Sequence, residues 1–300
     1  MLPPKQPPSF IQLGRHGDLL ILFPAFQEIA RITGMIPNVL VTSPFHRLFD
    51  GISYARPFVV PGNWWEAMPI ARRLARQFFG EDPIIPQWWL CTDEKNVPRG
   101  TQILQCHGTS WAVDVDKWPN FGISEWERTG LTRKEFMTLP LVFDRRDKAR
   151  EAALVRNFYP PALRRKPLLL FNFTGTSSPF SFVPEVSRVM SAYRTAFHLV
   201  DLGQIRAQRL YDLLGLYDAA AGLITIDTAT AHLANGSRVP TVWYTVEGWR
   251  TSVPRGNVAL EIKYSDTLRR LAALNEVLKQ WAATPTYANP SPHALLPVPA

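Results

Sequence analysis

Cysteine is nearly absent from this sequence, acids are outnumbered by bases, and no apolar run is long. Two cysteines, Cys91 and Cys106, stand fifteen positions apart with no Cys-x-x-Cys pair or histidine cluster near them. Neither a disulfide framework nor a zinc site is therefore expected, and a reducing cytoplasm is the expected location. The longest apolar stretch, "LLILFPAF" at 19–26, falls well short of the roughly 18 residues that a membrane span requires. The opening "MLPPKQPPSF" lacks the charged-then-apolar order of a secretory signal. No G-x-G-x-x-G and no G-x-x-x-x-G-K-[ST] occurs, so neither a dinucleotide fingerprint nor a phosphate loop is written in the chain.

What is present is globular: 46% of residues are hydrophobic and 19% charged, which excludes a disordered chain. Three hundred residues are long for one core and natural for two domains. Against 25 acids stand 33 bases, for a net charge of +8. That surplus favours polyanionic partners: phosphates, nucleic acid, or peripheral contact with an anionic surface. Proline is abundant at 27 residues, several of them in the tail "TPTYANPSPHALLPVPA", which reads as a non-helical wrap.

The pattern along the chain alternates strand and helix. "SFIQLG" is a short strand and "DLLILFPAFQEIARITG" a helix with Pro24 inside it, where a bend is expected. "NVLVTS" and "RPFVVP" are strands, "WEAMPIARRLARQFFG" is a helix ending at Gly80, and "TQILQCHG" is a further buried strand. Order weakens between 108 and 145, and a charged helix then runs into Pro160 and Pro161. A second unit starts at "LLLFNFTG" and continues with a helix near "VPEVSRVMSAYR" and the strand "AFHLVDLG". The helical "AQRLYDLLGLYDAAAG", the strand "LITID", the short helix "TATAHLANGS" and the strand "PTVWYTV" follow. The expected organisation is α/β: a first Rossmann-like domain over 1–160, a second over 161–265, and a helix with a proline-rich tail, 266–300, packing across both. Two doubly wound parallel sheets facing one another leave a cleft, and ligands of such sheets lie beyond the carboxyl ends of the strands.

Two stretches carry chemistry. In "GRHGDLLILFPAF" (14–26) Asp18 sits where a strand hands over to a helix, beside Arg15 and His16. An acid there is a helix cap, or it is a catalytic base. In "LITIDTATAHLANGSRVPTVWYT" a buried strand ends at Asp227 and Thr228 begins a helix. Thr228, Ala229 and Thr230 would present unpaired backbone N–H groups, which seat a phosphate without metal, while Asp227 would accept from sugar hydroxyls. The alternative is that Asp227 or Thr228 caps the helix and His232 packs in its second turn.

Together these stretches resemble glycosyltransferase family 9, whose best-known members are the ADP-heptose:lipopolysaccharide heptosyltransferases. Gly17 and Asp18 with Pro24 and Ala25 match the family's first motif. Asp227, Thr228 and His232, followed by Pro240 and Thr241, match its second. The resemblance implies a GT-B fold, two Rossmann-like domains facing across a cleft, and an inverting glycosyl transfer from a nucleotide-diphosphate sugar with no cofactor and no metal. It implies Asp18 as the base and Asp227, Thr228, Ala229 and His232 as the donor-diphosphate site. Two positions depart from the pattern: the family's glycine after Asp-Thr is Ala229, and "FNFTGTSSPFSF" stands where the family has a His-Pro-Gly-like turn and a lysine. Thr174, Gly175, Thr176 and Ser177 are left to hold phosphate through hydroxyl and backbone groups, with Arg15, Arg206 and Arg250 as cations for the leaving group. "DVD" at 114–116 matches the metal-binding Asp-x-Asp of the other large glycosyltransferase fold, without a Rossmann-like strand leading into it.

The acceptor side is read from His16 and from the tryptophans concentrated before residue 150, notably Trp64, Trp65, Trp88 and Trp89. Neighbours on a strand face opposite sides, so a Trp-Trp pair there cannot bury both rings. Exposed indoles stack on sugars and on nucleobases alike. A cell-envelope glycan is the acceptor the resemblance implies. A hydroxymethylated base in phage-type DNA is the alternative that the basic charge and the tryptophans favour. A non-catalytic nucleotide-sugar or nucleic-acid binding protein is the alternative from a different class.

Overall fold

The computed structural model describes residues 7–62, 67–80, 102–106, 109–113, 129–175, 179–246 and 254–283. A first parallel sheet has the order β1 (Ser9–Ile11), β2 (Asn38–Thr42), β3 (Arg56–Val60). Between β1 and β2 runs α1 (His16–Thr33), which ends at Gly34 in the left-handed conformation (φ 69°), its N–H donating to Ala30 O. After β3 comes α2 (Ala67–Phe79). The apolar run 19–26 is buried throughout, since α1 lies on the sheet with one face and beneath other chain with the rest.

Of the stretch 101–108, residues 102–106 form a strand, but not of the parallel sheet. β4 (Gln102–Cys106) pairs antiparallel with β5 (Thr109–Val113) in a separate two-stranded sheet. A short apolar run alone does not reveal its partner, and the two-residue gap to β5 lets the local pairing win.

The second half follows two short helices, α3 (Arg133–Thr138) and α4 (Lys148–Phe158). Five parallel strands then make a sheet of order β10–β9–β8–β6–β7, with β6 at Leu168–Asn172, β7 at His198–Asp201, β8 at Ala220–Ile226, β9 at Thr241–Thr245 and β10 at Val258–Lys263. The central strands β6, β8 and β9 are nearly continuous apolar runs because both faces are covered. α5 (Val183–Ser191) and α8 (Leu271–Ala283) cover one face, where Val186, Met190, Leu274, Leu278 and Trp281 join Leu169, Ile224 and Val242 in one core. The apolar face of 271–283 is thus used on the second sheet, and residues 284–300 lie outside the described residues. α6 (Leu214–Ala219) and α7 (Ala229–Leu233) lie on the other face, where Leu168, Leu170, Leu214, Leu216 and Leu233 share a core with α1, Phe136, Phe143 and Tyr159. One apolar cluster therefore runs from the first sheet, through 131–159, to the second.

Two further elements differ from the sequence expectation. The helix expected over 207–222 is short, and Ala220–Gly222 belong to β8. An Ala-Ala-Ala-Gly run favours helix locally, but here Gly222 lies under the Trp281 ring and the tertiary contact decides. β10 was not expected at all. Its alternating exposure, with only Ile262 buried, is the weak signal of an edge strand.

Charge fixes the joint. Arg146 donates to both carboxylate oxygens of Glu151 (2.6 and 2.7 Å) and to Asp218 Oδ2 (2.6 Å), tying α4 to α6. Glu151 is buried at 4% exposure, and the backbone passes so close to it that a Cβ on Gly215 would stand 2.7 Å from Glu151 Cβ. Phe143 stacks on Tyr211 at 5.0 Å over Gly51.

A Cβ at position 222 would lie 2.2 Å from Trp281 Cζ3. Gly222→Ala is expected to destabilise the fold by about 1–3 kcal/mol in chemical denaturation, through overpacking against a ring that cannot yield. A change within experimental error would contradict this packing.

Candidate active site

The site is built where α1 of the first sheet meets α7 of the second. Gln12 Oε1 accepts from Gly14 N–H (3.1 Å) and holds the turn out of β1. Arg15 then stands as the N-cap of α1 in extended conformation. Asp18, at the third helical position, accepts from the Arg15 backbone N–H at 2.6 Å. It therefore fills the returning half of a capping box, so the cap reading of this acid is true as far as it goes. A capping acid usually faces water, whereas this one is largely covered by protein. Desolvation pushes its carboxyl up to about 6, against the pull of the Arg15 N–H bond and of the charges on His232 and Arg15.

His232 belongs to the other sheet's helix, and its effect on Asp18 reflects how closely the two helix starts approach. A Cβ placed on Gly17 would sit 3.3 Å from His232 Cδ2 and 3.9 Å from both N and Cα of Ala229. Of the two sides of this contact, it is position 17 that has no side chain. Ala229 stands where the motif that this stretch resembles has a glycine, and Gly17 lies across the junction from it.

Around α7 the expected donor residues come together. Asp227 is 9% exposed, and its Oδ1 lies 3.5 Å from Nε2 of His232, whose ring stands edge-on to Trp243 at 5.3 Å. Thr228 is the N-cap of α7 but makes no side-chain cap bond. Its hydroxyl instead lies 2.8 Å from Thr230 Oγ1. Thr174 lies two residues beyond β6, with Gly203 beside it: a Cβ on Gly203 would stand 3.1 Å from Thr174 Oγ1. Asp201, at the end of β7, accepts from Gly203 N–H at 2.9 Å. Gly175 continues the turn after Thr174, and Arg206 is exposed on the loop beyond β7. Thus the carboxyl ends of β6, β7 and β8 converge with the start of α1, as a doubly wound sheet requires of a ligand site.

His16, expected on the acceptor side, packs edge-on against Phe45 at 4.9 Å, and burial holds its pKa below the ordinary value. Thr176, Ser177, Arg250, Trp64, Trp65, Trp88 and Trp89 lie outside the described residues, as do Asp114 and Asp116. Among the described residues no three His, Cys, Asp or Glu gather as a metal-holding group, and no helix is long and apolar enough to cross a membrane.

Sequence reasoning missed Asn172 and Tyr217. Asn172 is the last residue of β6, and its amide reaches both Thr228 and Thr230. Tyr217, wholly buried, donates to Thr230 O at 3.0 Å. A polar residue closing the run "LLLF" was the one available signal for Asn172. Tyr217 gave none.

The chain matches no protein-family model and no curated protein. Solved structures do match. A glycosyltransferase family 9 structure from Veillonella parvula aligns at 10% identity with a TM-score of 0.58, over 92% of this chain and 91% of that one. The ADP-heptose lipopolysaccharide heptosyltransferase II of E. coli aligns at 14% identity with a TM-score of 0.56, over 91% and 99%. At such identities the likeness is one of fold: this is an α/β chain of the GT-B arrangement. Within that class, the two solved folds it is similar to are the ones the motifs at 17–25 and 227–241 resemble.

The raised pKa of Asp18 has a stability consequence whose sign is opposite to that of an ordinary surface acid. The folded chain holds the proton up to pH about 6, whereas the unfolded chain releases it near 4. Native stability therefore falls as pH rises between those values and stays lower above them. Asp18→Asn keeps an oxygen for the Arg15 N–H and carries no charge. It is expected to unfold at a higher temperature than the parent at pH 8, with the difference vanishing below pH 4. An Asn variant that is less stable at pH 8 would contradict the desolvation of Asp18.

Proposed function

We propose that the chain is an inverting, metal-independent glycosyltransferase that moves a sugar from a nucleotide-diphosphate sugar to a hydroxyl of a cell-envelope glycan, at the cytoplasmic side. What supports this most is one observation: across Gly17 the start of α1 with Asp18 touches the start of α7 with Ala229 and His232. A base from one half and an anion seat from the other then share a single site.

Inverting transfer needs a base to take the acceptor hydroxyl's proton as that oxygen attacks the anomeric carbon. It also needs positive potential on the departing diphosphate. With a pKa of about 6, Asp18 is ionised at neutral pH and is a stronger base than an ordinary carboxylate. The N–H groups at the start of α7 and the turn at Thr174–Gly175 would receive the diphosphate, with Arg15 and Arg206 supplying charge. Burial keeps His16 neutral beside Phe45, so it adds no competing charge next to the base. The nucleotide sugars and glycans handled by the similar heptosyltransferases set the first donors and acceptors to try.

The test is turnover with a panel of nucleotide sugars, against truncated lipopolysaccharide and against DNA carrying hydroxymethylated bases. Transfer to the saccharide is expected. Transfer to DNA alone would replace the acceptor, and nucleotide binding without release would make the chain a binder. Asp18→Asn is expected to lower kcat by about 10²–10⁴-fold while leaving nucleotide affinity close to that of the parent. In the parent, kcat/KM is expected to rise with pH through about 6, as Asp18 loses its proton. Full turnover by the Asn variant, or a flat profile through that range, would remove Asp18 from the role of base.

A further inference from the structure

We propose that Asn172 is the positioning residue that sets the two phosphate-facing segments of the donor site, the turn at Thr174 and the start of α7, in register with each other. This rests on the nucleotide-sugar reading above. Asn172 is 5% exposed and belongs to neither motif. Its Oδ1 accepts from the Thr174 backbone N–H at 3.1 Å, and its Nδ2 lies 2.9 Å from Thr230 Oγ1 and 3.3 Å from Thr228 Oγ1. Chemistry fixes the orientation of this amide. A backbone N–H only donates, so the oxygen must face Thr174 and the NH₂ must face the two hydroxyls.

From that starting point the proton directions of the threonines follow. Thr225 Oγ1 donates to Ile226 O (3.1 Å), so Thr230 donates to Thr225 Oγ1 (2.9 Å) and is itself an acceptor from Asn172. Thr228 accepts from Asn172 and gives its hydrogen to Thr230 (2.8 Å) or to Ile226 O (3.3 Å). Each hydroxyl hydrogen is then used inside the network. Thr228 has none left to offer a phosphate, and its side chain makes no cap bond to α7. What faces the ligand from α7 is its backbone N–H groups, and their direction is set by where Asn172 holds Thr228 and Thr230. With the lysine of the family's turn missing, alignment of these N–H groups carries more of the anion binding than it would beside a mobile cation.

Asn172→Asp distinguishes positioning from mere structural support. A carboxylate still accepts from Thr174 N–H, and the threonine hydroxyls can turn to donate to it, so the fold keeps its hydrogen bonds. It loses the NH₂ donors and adds a negative charge behind the phosphate seat. Asn172→Ala removes all three bonds. Binding of ADP, UDP and GDP is measured by calorimetry for the parent and both variants, with melting temperatures and steady-state kinetics alongside.

The expected result is a Kd for the preferred nucleoside diphosphate raised by about tenfold in Asn172→Ala, the equivalent of one hydrogen bond's net worth, and raised further in Asn172→Asp. The Asp variant is expected to melt no lower than the Ala variant, so that affinity and stability rank in opposite orders. KM for the nucleotide sugar should rise more than kcat falls. Parent-like Kd in either folded variant, or affinity losses that follow the melting temperatures, would overturn the proposal. Should Asn172→Ala fail to fold, Asn172→Asp and Thr230→Val carry the same comparison. A parent chain that binds none of the three nucleotides would instead sink the donor reading itself, and this inference with it.

Discussion

Everything near the site depends on the close approach of two helix starts that belong to different sheets. Gly17 makes it possible: its missing side chain lets the start of α1 come against Ala229 and His232. The approach has an electrostatic cost and an electrostatic use. Asp18 is desolvated by it, and its carboxyl rises to about 6. The same geometry points the positive ends of α1 and α7 toward one region, where an anion is favoured. That potential favours the ionised form of Asp18, whereas an anion received there would repel it.

The contact holds because the core does not stop at the first sheet. Phe23 of α1 packs edge-on against Phe49 (5.0 Å) and Phe143 (5.9 Å), and Phe143 stacks on Tyr211 of the second half. Arg146, Glu151 and Asp218 add a buried ion network at the same joint. Removing one member of such a network strands the others in low dielectric, a larger loss than the network's own net stabilisation. The joint is thus stiffer than a linker, and α1 has little freedom to slide over α7.

Much of this was legible in the sequence wherever local chemistry and tertiary packing agree. The run from Asp18 into "LLILFPAF" is at once a helix start and a buried face. The runs ending at Asn172 and Ile226 are apolar because central parallel strands are covered on both sides. Legibility fails where the partner is remote. Ala220–Gly222 favour helix until Trp281, about sixty positions later, takes the space above Gly222. "VALEIK" alternates charge and apolar residues as an edge strand does, too short a signal to stand alone. "TQILQC" reads equally as a parallel or a hairpin strand. Asp18 was recognisable as special, but nothing local reveals that His232, more than two hundred positions away, would face it.

The two positions that differ from the motifs this chain resembles can be read on the same physical terms. The alanine at 229 lies across from Gly17, whose Cβ, if present, would stand 3.9 Å from Ala229 N and Cα. A missing lysine removes a point charge, yet the replacement sequence brings Thr174 N–H under the control of Asn172 and places Gly203 against Thr174 Oγ1. A lysine binds phosphate wherever its flexible stem reaches, whereas backbone N–H groups bind only in the direction in which they are held. The segments after β6 and at the start of α7 are held in this way, since Asn172, Thr225, Thr228, Thr230 and Tyr217 form one bonded network.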